Sequence, residues 1–267
     1  MVKTEYRIKG SADITVAVVS DLHEFNPEPV LSILRKVKPD VIAVPGDLLE
    51  RHAYGENLDK EDESAVSRLL CSCIHLANKI AGLRWRQKHD VKKENAYRFL
   101  SEAGKLAPVL YSLGNHELYL TEEDRAVMDA AGVKLLNNSS VEISGVLFGG
   151  IPSKQTSGKI DNSFLRSFSE SVDADGNPMY KVLLCHHPEY YETIKPYNID
   201  LILAGHAHGG QIRLGNQGCF SPGQGLLSRY TKGAYDRLVV SAGCSNTASI
   251  PRFGNPCEVV VVRVNKG

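Results

Sequence analysis

Side chains of the kinds that bind metal ions recur along this chain, and each group of them follows a short apolar run. The groups are Asp21 with His23, Asp47, Asn115 with His116, His186, and His206 with His208. Runs of aliphatic and β-branched residues, such as 14–19 and 201–204, predict buried strands. Because ligands in open α/β sheets gather at the carboxyl ends of strands, we expect these side chains to meet at one site.

The donor types in this set indicate which ions would bind. Imidazole nitrogens mixed with carboxylate and amide oxygens suit manganese, iron, zinc or cobalt better than calcium or an all-oxygen magnesium site. Asp47 has two carboxylate oxygens and can bridge two cations, while Asn115 offers a neutral oxygen. We therefore expect two divalent metal ions, with Mn first and Fe, Zn, Co or Mg as alternatives. Two such ions about 3.5–4 Å apart can hold a bridging hydroxide that attacks a phosphate.

Further residues are candidates for chemistry on the substrate. His116 adjoins Asn115 and is expected to protonate the leaving group or to stabilise charge on it. Glu50 closely follows Asp47 and could orient His116 by accepting its other N–H. Arg51 could contact a phosphate oxygen through its fork of donors. The predicted catalytic residues are thus His116, Glu50 and Arg51.

Each motif alone has a plainer explanation, because an Asp after a strand or a glycine is ordinary turn chemistry. The segment 205–210, Gly-His-Ala-His-Gly-Gly, is the most specific, since its glycines allow close backbone approach while two imidazoles converge. All the motifs together, each after a predicted strand, favour a metal site. Four histidines lie outside these motifs and are expected on the surface or in packing: His52, His75, His89 and His187. Of these, only His187 could touch substrate.

Length and composition fit a soluble domain. The chain has 267 residues, 31 basic and 31 acidic side chains, and 42% hydrophobic residues. A net charge of zero disfavours a general nucleic-acid binder. The sequence has no signal-peptide pattern, and its six cysteines form no CxxC pair. We therefore expect a cytoplasmic location, with peripheral association at the inner face of the membrane as an alternative.

The predicted elements alternate largely as β-α-β-α, which indicates an α/β fold. Helices are expected at about 27–36, in pieces within 61–105 and at 122–131, and a hairpin is expected around Ser144 and Gly145. No linker divides the chain, so we expect one domain over residues 1–267 with a helical insert at about 52–105. Ligands come from both halves of the sequence, so both halves must fold around one site.

The ordered motifs resemble those of the calcineurin-like metallophosphoesterase superfamily over residues 14–263, and all of that family's ligand blocks are present. The resemblance implies two packed mixed β-sheets flanked by helices, in a four-layer sandwich. It assigns the first metal to Asp21, His23, Asp47 and His208. It assigns the second metal to Asp47, Asn115, His186 and His206. It also implies that His116 is the catalytic histidine.

Segments 205–211 and 252–256 are similar to a bacterial branch that includes UDP-2,3-diacylglucosamine pyrophosphatase-type enzymes. That similarity implies a small-molecule or lipid-linked phosphate substrate. The insert at 52–105 departs from the branch in length and helical character. Its segment 66–88 is apolar on one face and ends near Trp85. We expect it to pack on a sheet, with peripheral membrane contact or capping of the metal site as alternatives.

The predicted function is hydrolysis of a phosphomonoester, phosphodiester or pyrophosphate by attack of a metal-bridging hydroxide. One alternative is a nuclease of the same superfamily, which needs a basic groove that residues 84–93 could begin. The sequence gives no strong sign of nucleic-acid binding otherwise. A second alternative is a catalytically silent metal-binding scaffold. It is disfavoured because no ligand motif is broken.

Overall fold

The structure is a computed structural model that describes residues 1–51, 91–157, 159–221, 224–246 and 252–267. Two six-stranded sheets of mixed direction pack face to face, and helices cover their outer faces. This arrangement confirms the four-layer α/β sandwich expected from the sequence. No helix within the described ranges is both long and apolar enough to cross a bilayer.

The first sheet contains strands from both ends of the chain. Its strands are β1 (Val2–Gly10), β2 (Ile14–Val18), β3 (Val41–Pro45), β4 (Val109–Ser112), β5 (Lys134–Leu135) and β16 (Glu258–Lys266). They lie in the order β1-β16-β2-β3-β4-β5. The run from β2 to β5 is parallel, whereas β16 is antiparallel to β2 and parallel to β1.

The second sheet is built from the later half of the sequence. Its strands are β6 (Ser139–Ile143), β7 (Val146–Ile151), β8 (Tyr180–Cys185), β9 (Leu201–Ala204), β14 (Gly233–Tyr235) and β15 (Leu238–Val240). They lie in the order β14-β15-β9-β8-β7-β6. The predicted hairpin is the β6–β7 pair, whose turn residues Ser144 and Gly145 both have positive φ.

Two short antiparallel strand pairs follow β9 in the sequence. They are β10 (Arg213–Leu214) with β11 (Gln217–Gly218), and β12 (Phe220–Ser221) with β13 (Gly225–Leu226).

The helices cover the outer faces of the two sheets. They are α1 (Glu28–Val37), α2 (Lys93–Gly104), α3 (Glu122–Ala130), α4 (Lys154–Ser157), α5 (Asn162–Glu170) and α6 (Tyr191–Ile194), with 3₁₀ turns at Pro188–Tyr190 and His208–Gly210. Buried residues of α1, α2 and α3 pack on the first sheet, and those of α5 and α6 pack on the second. The helices expected at 27–36 and 122–131 are α1 and α3.

The continuous apolar run of β3 follows from burial on both faces of its strand. Val41 and Ala43 pack between the two sheets, whereas Ile42 and Val44 pack against the outer helices. All four side chains are fully buried. A parallel strand covered on both faces needs apolar residues at every position, which explains why these runs do not alternate with polar residues.

Part of the expected insert belongs to the outer helical layer. Residues 93–104 form α2, and its Phe99 and Leu100 are fully buried against the first sheet. Residues 52–90 lie outside the described part of the chain. The expected helix at 66–88, its membrane contact, and His52, His75 and His89 therefore stay predictions, as does the division into one domain with an insert.

Candidate metal centre

The predicted ligands lie at the carboxyl ends of strands from both sheets. Asp21 follows β2, Asp47 follows β3 and Asn115 follows β4, while His186 follows β8 and His206 follows β9. All five are interior strands of their sheets, and the residues that follow them gather at one edge of the sandwich. The fold brings the ligand-type residues together as the sequence predicted.

Several of these residues have a backbone conformation that is costly for side chains other than glycine. Positive φ values occur at Asp21 (53°), His23 (49°), Asp47 (56°), His206 (65°) and His208 (45°). Such strain costs on the order of 1 kcal/mol per residue and is concentrated at functional sites. The loops are therefore held in place by the surrounding contacts rather than by local preference.

One cluster of donor atoms joins the loops after β2 and β9. Asp21, His23 and His208 each offer a buried ligand atom within 4.8 Å of the others. His208 Nε2 lies 3.6 Å from Asp21 Oδ1, and the rings of His23 and His208 stack with centroids 5.5 Å apart. The backbone N–H of His206 also donates to Asp21, which ties the two loops together.

A second cluster joins the loops after β3, β8 and β9. Asp47, His186 and His206 form a buried group within the same limit of 4.8 Å. His186 Nε2 lies 3.1 Å from Asp47 Oδ2, while its Nδ1–H donates to the Pro45 carbonyl at 2.7 Å. That outer hydrogen bond orients the ring so that Nε2 faces Asp47.

Asp47 lies between the two clusters. Its Oδ2 atom is 3.1 Å from Nε2 of His186 and 3.8 Å from Nε2 of both His23 and His116. Its other oxygen accepts the backbone N–H of His116 at 3.0 Å. One carboxylate oxygen thus faces imidazoles from three different loops, which is the position that a bridging ligand requires.

The donor atoms of these clusters fit divalent cations. The Nε2 atoms of His23, His186 and His206 are buried and have no hydrogen-bond partner among the described residues. Leaving such atoms unsatisfied costs roughly 1–3 kcal/mol each. A cation between imidazole lone pairs and carboxylates would satisfy all of them. Asn115 is fully buried on the loop that carries His116, and its role as a ligand stays a prediction.

Electrostatics in the site favour bound positive charge. Burial alone would raise the pKa of Asp47, but His186 and His116 beside it hold that pKa well below the usual range. Burial lowers the pKa of His186, yet the Asp47 carboxylate outweighs this effect and raises the value to about 9. Burial keeps the pKa values of His206 and His208 well below normal, so these rings are neutral, as metal ligands must be.

Glu50 holds two imidazoles at once. Its Oε2 lies 3.0 Å from Nδ1 of His116, as the sequence predicted, and its Oε1 lies 2.5 Å from Nδ1 of His23. Both histidines therefore donate through Nδ1 and present Nε2 to the site. The His116 side chain is 22% exposed, whereas that of His23 is fully buried, so His116 is the ring that substrate can reach.

Arg51 lies elsewhere than the sequence suggested. Its guanidinium is buried and donates two hydrogen bonds to Asp124, one to Glu24 and one to the Glu50 carbonyl. These partners occupy the fork of donors, which faces the start of α3. Among the described residues Arg51 thus anchors the loop after β3, and the phosphate contact expected of it stays a prediction that these contacts do not support.

Glu117 is a residue of the site whose role sequence reasoning missed. Its carboxylate is fully buried and accepts backbone N–H groups from Asp47 (2.9 Å), Leu48 (2.7 Å) and Gly114 (2.6 Å). The hydroxyl of Tyr111 donates to it as well. Glu117 thus binds the loop after β3 to the loop after β4, and so fixes Asp47 relative to His116.

His187 is buried rather than exposed at the surface. Its Nδ1 pairs with Glu189 at 2.8 Å, its Nε2 lies 2.8 Å from Ser153 Oγ, and its ring centroid is 4.1 Å from that of His206. Burial holds the pKa of His187 well below normal. The structure thus packs His187 against the ring of a predicted ligand, and the contact of His187 with substrate stays a prediction.

Arg252 is the second residue of the site to which the sequence assigned no role. Its Nη2 lies 3.1 Å from Nδ1 of His208 and donates to the carbonyl of Ser245. The Ser245 hydroxyl in turn donates to the Asp21 carbonyl at 2.8 Å. The only sequence signal for Arg252 is its place in segment 252–256, which carried the finer resemblance but no assigned chemistry.

Known proteins similar to this chain include several phosphoesterases. The uncharacterized protein YpbG of Bacillus subtilis (strain 168) is 24% identical over 263 residues, which cover 96% of this chain and 83% of the relative. An uncharacterized metallophosphoesterase of Aquifex aeolicus (strain VF5) is 26% identical over 282 residues, covering 98% of this chain and 89% of the relative. The uncharacterized metallophosphoesterase YkuE of Bacillus subtilis (strain 168) is 28% identical over 165 residues, covering 59% and 55%.

A family model agrees with the geometry of the site. The model described as Calcineurin-like phosphoesterase matches residues 14–210. That range is more than half of the chain and includes every predicted ligand from Asp21 to His208. The chain therefore belongs to the calcineurin-like phosphoesterase family, whose members hydrolyse phosphate esters with divalent metal ions.

Proposed function

We propose that this chain hydrolyses phosphate esters with two divalent ions. The first ion would be held by Asp21, His23 and His208, and the second by Asn115, His186 and His206, with Asp47 shared between them. The single observation that carries this proposal is Asp47 Oδ2, which lies 3.1–3.8 Å from imidazole nitrogens of both groups. When bound, the ions would activate a water molecule as nucleophile and neutralise charge on the phosphate oxygens.

His116 and Glu50 would act on the leaving group. A water oxygen bonds to phosphorus, the bond from phosphorus to the leaving oxygen breaks, and that oxygen needs a proton. His116 would supply the proton through Nε2, because Glu50 holds its Nδ1 and its side chain is partly exposed. As that bond breaks, the same ring would stabilise the charge that develops on the leaving oxygen.

We infer that the substrate is small or lipid-linked, as in the pyrophosphatase-type branch that segment 252–256 resembles. Exposed apolar side chains that follow the loop after β9 in the sequence support this view. Leu214 and Phe253 are each 68% exposed, and Leu227 is 67% exposed. Phe253 pairs with the backbone of Gln211 and directly follows Arg252, so this exposed ring lies next to the loop that carries His208. An acyl chain next to a phosphate is a chemistry that such exposed apolar side chains would accept. A peripheral location at the membrane stays a prediction.

The nuclease alternative needs a track of basic side chains that leads to the ions. Of the candidates for such a groove, Lys92 and Lys93 are described, and Lys93 pairs with Glu123 at 2.7 Å on the outer helical layer. That contact does not favour a polynucleotide path. The silent-scaffold alternative has no observation in its favour, since every ligand motif is intact and lies at one edge of the fold.

The test combines metal content with hydrolysis of two chromogenic substrates. Metal per chain is measured by mass spectrometry, and turnover of p-nitrophenyl phosphate and bis-p-nitrophenyl phosphate is measured with and without added manganese. We expect close to two ions per chain and manganese-dependent turnover. His116→Ala should lose turnover but keep both ions, whereas Asn115→Ala should lose turnover together with one ion.

The matched control is Asp129→Asn, which changes an exposed carboxylate on α3. It should leave metal content and turnover unchanged. Absence of bound metal under every condition, or full turnover in both site variants, would contradict the proposal. The ratio of the two substrate rates then ranks monoester against diester, and vesicles that carry a lipid phosphate test the lipid-linked substrate.

A further inference from the structure

Arg252 is fixed at the outer edge of the cluster formed by Asp21, His23 and His208. The backbone that follows it is tied to the loop after β9, because the Phe253 N–H donates to the Gln211 carbonyl. Asn255 is fully constrained as well, since its side-chain amide donates to the His208 carbonyl at 2.7 Å. These contacts on its C-terminal side, together with the contact of its own Nη2 with Nδ1 of His208, place Arg252 beside that ring.

The guanidinium of Arg252 has donors that remain unused. Its Nε and Nη1 atoms are buried and lack a hydrogen-bond partner among the described residues. No acidic side chain in the described ranges forms an ion pair with it, in contrast to Arg51, which pairs with Asp124 and Glu24. Buried donors without an acceptor are costly, so this position suits an anion that accepts from them.

A cation on His208 would release one more donor of Arg252. His208 Nε2 faces Asp21 Oδ1 at 3.6 Å, so Nδ1 is the nitrogen that meets Arg252. An imidazole that ligates a cation through Nε2 carries its proton on Nδ1, and that N–H cannot accept from a guanidinium. With the first ion bound, Ser245 would be the only acceptor left to Arg252 among the described residues.

From these contacts we infer that Arg252 binds an oxygen of the substrate phosphate at the edge of the first ion site. This inference rests on the proposed phosphoesterase function and names the side chain that takes the place expected for Arg51. A planar guanidinium can donate two parallel N–H groups to a phosphate, which a lysine cannot do. Arg252 would thus orient the phosphate toward His116 on the opposite side of the site.

The experiment measures binding of inorganic phosphate to manganese-loaded protein by titration calorimetry, together with KM and kcat for p-nitrophenyl phosphate. The variants are Arg252→Gln and Arg252→Lys. We expect Arg252→Gln to keep the metal content of the wild type while its phosphate affinity falls roughly tenfold or more. Arg252→Lys should lose less affinity, because it keeps the charge but not the fork. In both variants KM should rise more than kcat falls.

The control is Arg229→Gln, which removes an arginine whose side chain is 77% exposed. It should bind phosphate like the wild type. Phosphate affinity within twofold of the wild type in Arg252→Gln would overturn the inference. A loss of metal from both Arg252 variants, with normal phosphate affinity of the loaded fraction, would also overturn it and leave Arg252 as a support for His208. If the wild type binds phosphate but hydrolyses neither substrate, the proposed function fails while the test of Arg252 still stands.

Discussion

One carboxylate oxygen of Glu50 lies 3.0 Å from Nδ1 of His116. The opposite oxygen of the same carboxylate holds His23 at 2.5 Å. A proposed proton donor and a proposed metal ligand are therefore oriented by one side chain. Any change at Glu50 should disturb both proton transfer and metal binding, and these effects can be separated because they have different readouts.

Glu50→Gln removes the charge that fixes both rings while it keeps the size of the side chain. We expect kcat for p-nitrophenyl phosphate at saturating manganese to fall roughly 10–100-fold, and the dissociation constant of the more weakly held ion to rise. In a His116→Ala background, Glu50→Gln should change kcat little further but should still weaken metal binding through His23. Equal losses of kcat in the two backgrounds would show that Glu50 does not act through His116.

Asp47→Ala should make the free energy of unfolding nearly independent of manganese. In the wild type, manganese at about a hundred times its dissociation constant should add about 2.7 kcal/mol to the free energy of unfolding, and a chelator should remove this gain. Asp47→Ala lacks the shared ligand, so its Tm should respond weakly to either treatment in calorimetry. Asp129→Asn serves as the comparison and should behave like the wild type. A normal manganese response in Asp47→Ala would rule out the bridging position.

Gly114→Ala should displace the Asp47 carboxylate. A Cβ at this position would lie 2.1 Å from Asp47 Oδ1, and backbone of the facing loop leaves little room for adjustment. We expect metal content to fall and turnover to drop at least about tenfold, because misplacement of a ligand by an ångström is costly.

The comparison is Gly132→Ala, where nothing lies within 4 Å of the added Cβ but φ is +68°. It should cost on the order of 1 kcal/mol in stability and leave metal content intact. If both variants bind metal equally well, the close approach of Gly114 to Asp47 is not required for metal binding.

Asp124→Asn should destabilise the fold in a pH-dependent way. Asp124 is fully buried, and burial alone would raise its pKa. Hydrogen bonds from Arg51 and Thr121 outweigh that effect, so the pKa of Asp124 lies below the ordinary value. A carboxyl group with a depressed pKa stabilises the folded state above its unfolded pKa of about 3.9, and this contribution is lost as pH falls through the folded value. Breaking the pair with Arg51 should cost roughly 3 kcal/mol at pH 7.

Urea unfolding of metal-free protein at pH 7 and at pH 3 measures this effect. The difference between wild type and Asp124→Asn should be largest at pH 7 and should shrink toward pH 3. A difference that stays constant over this range would mean that the charge of Asp124 does not contribute. Glu123→Gln, at an exposed neighbour on the same helix, controls for a change in net charge.

The ligand set could be predicted because each ligand directly follows an apolar run, and parallel strands bring their carboxyl ends to one edge. The contact of Arg51 could not be predicted in the same way. Its partner Asp124 lies 73 positions further along the chain, at the start of a helix whose placement depends on tertiary packing. Arg252 was missed for the same reason, since its neighbours His208 and Ser245 become neighbours only in the fold.

The backbone conformation of the ligand loops and the first strand could not be predicted from the sequence either. A positive φ at Asp21 or His206 is unfavourable for these residue types, and only the surrounding contacts impose it. The first strand, Val2–Gly10, carries charged side chains on an edge position and has no apolar run to mark it. Edge strands of this composition resist unwanted pairing, and the same composition hides them from hydrophobic patterning.

The strand β16 lies between β1 and β2, although it comes after every other described strand in the chain. Val260 pairs with Val18, so the strand that presents Asp21 has β16 as its neighbour. During synthesis on the ribosome, the loops that carry the ligands emerge long before this neighbour exists. The nascent chain therefore cannot complete the first sheet, or pair Val18 with Val260, until β16 has been made.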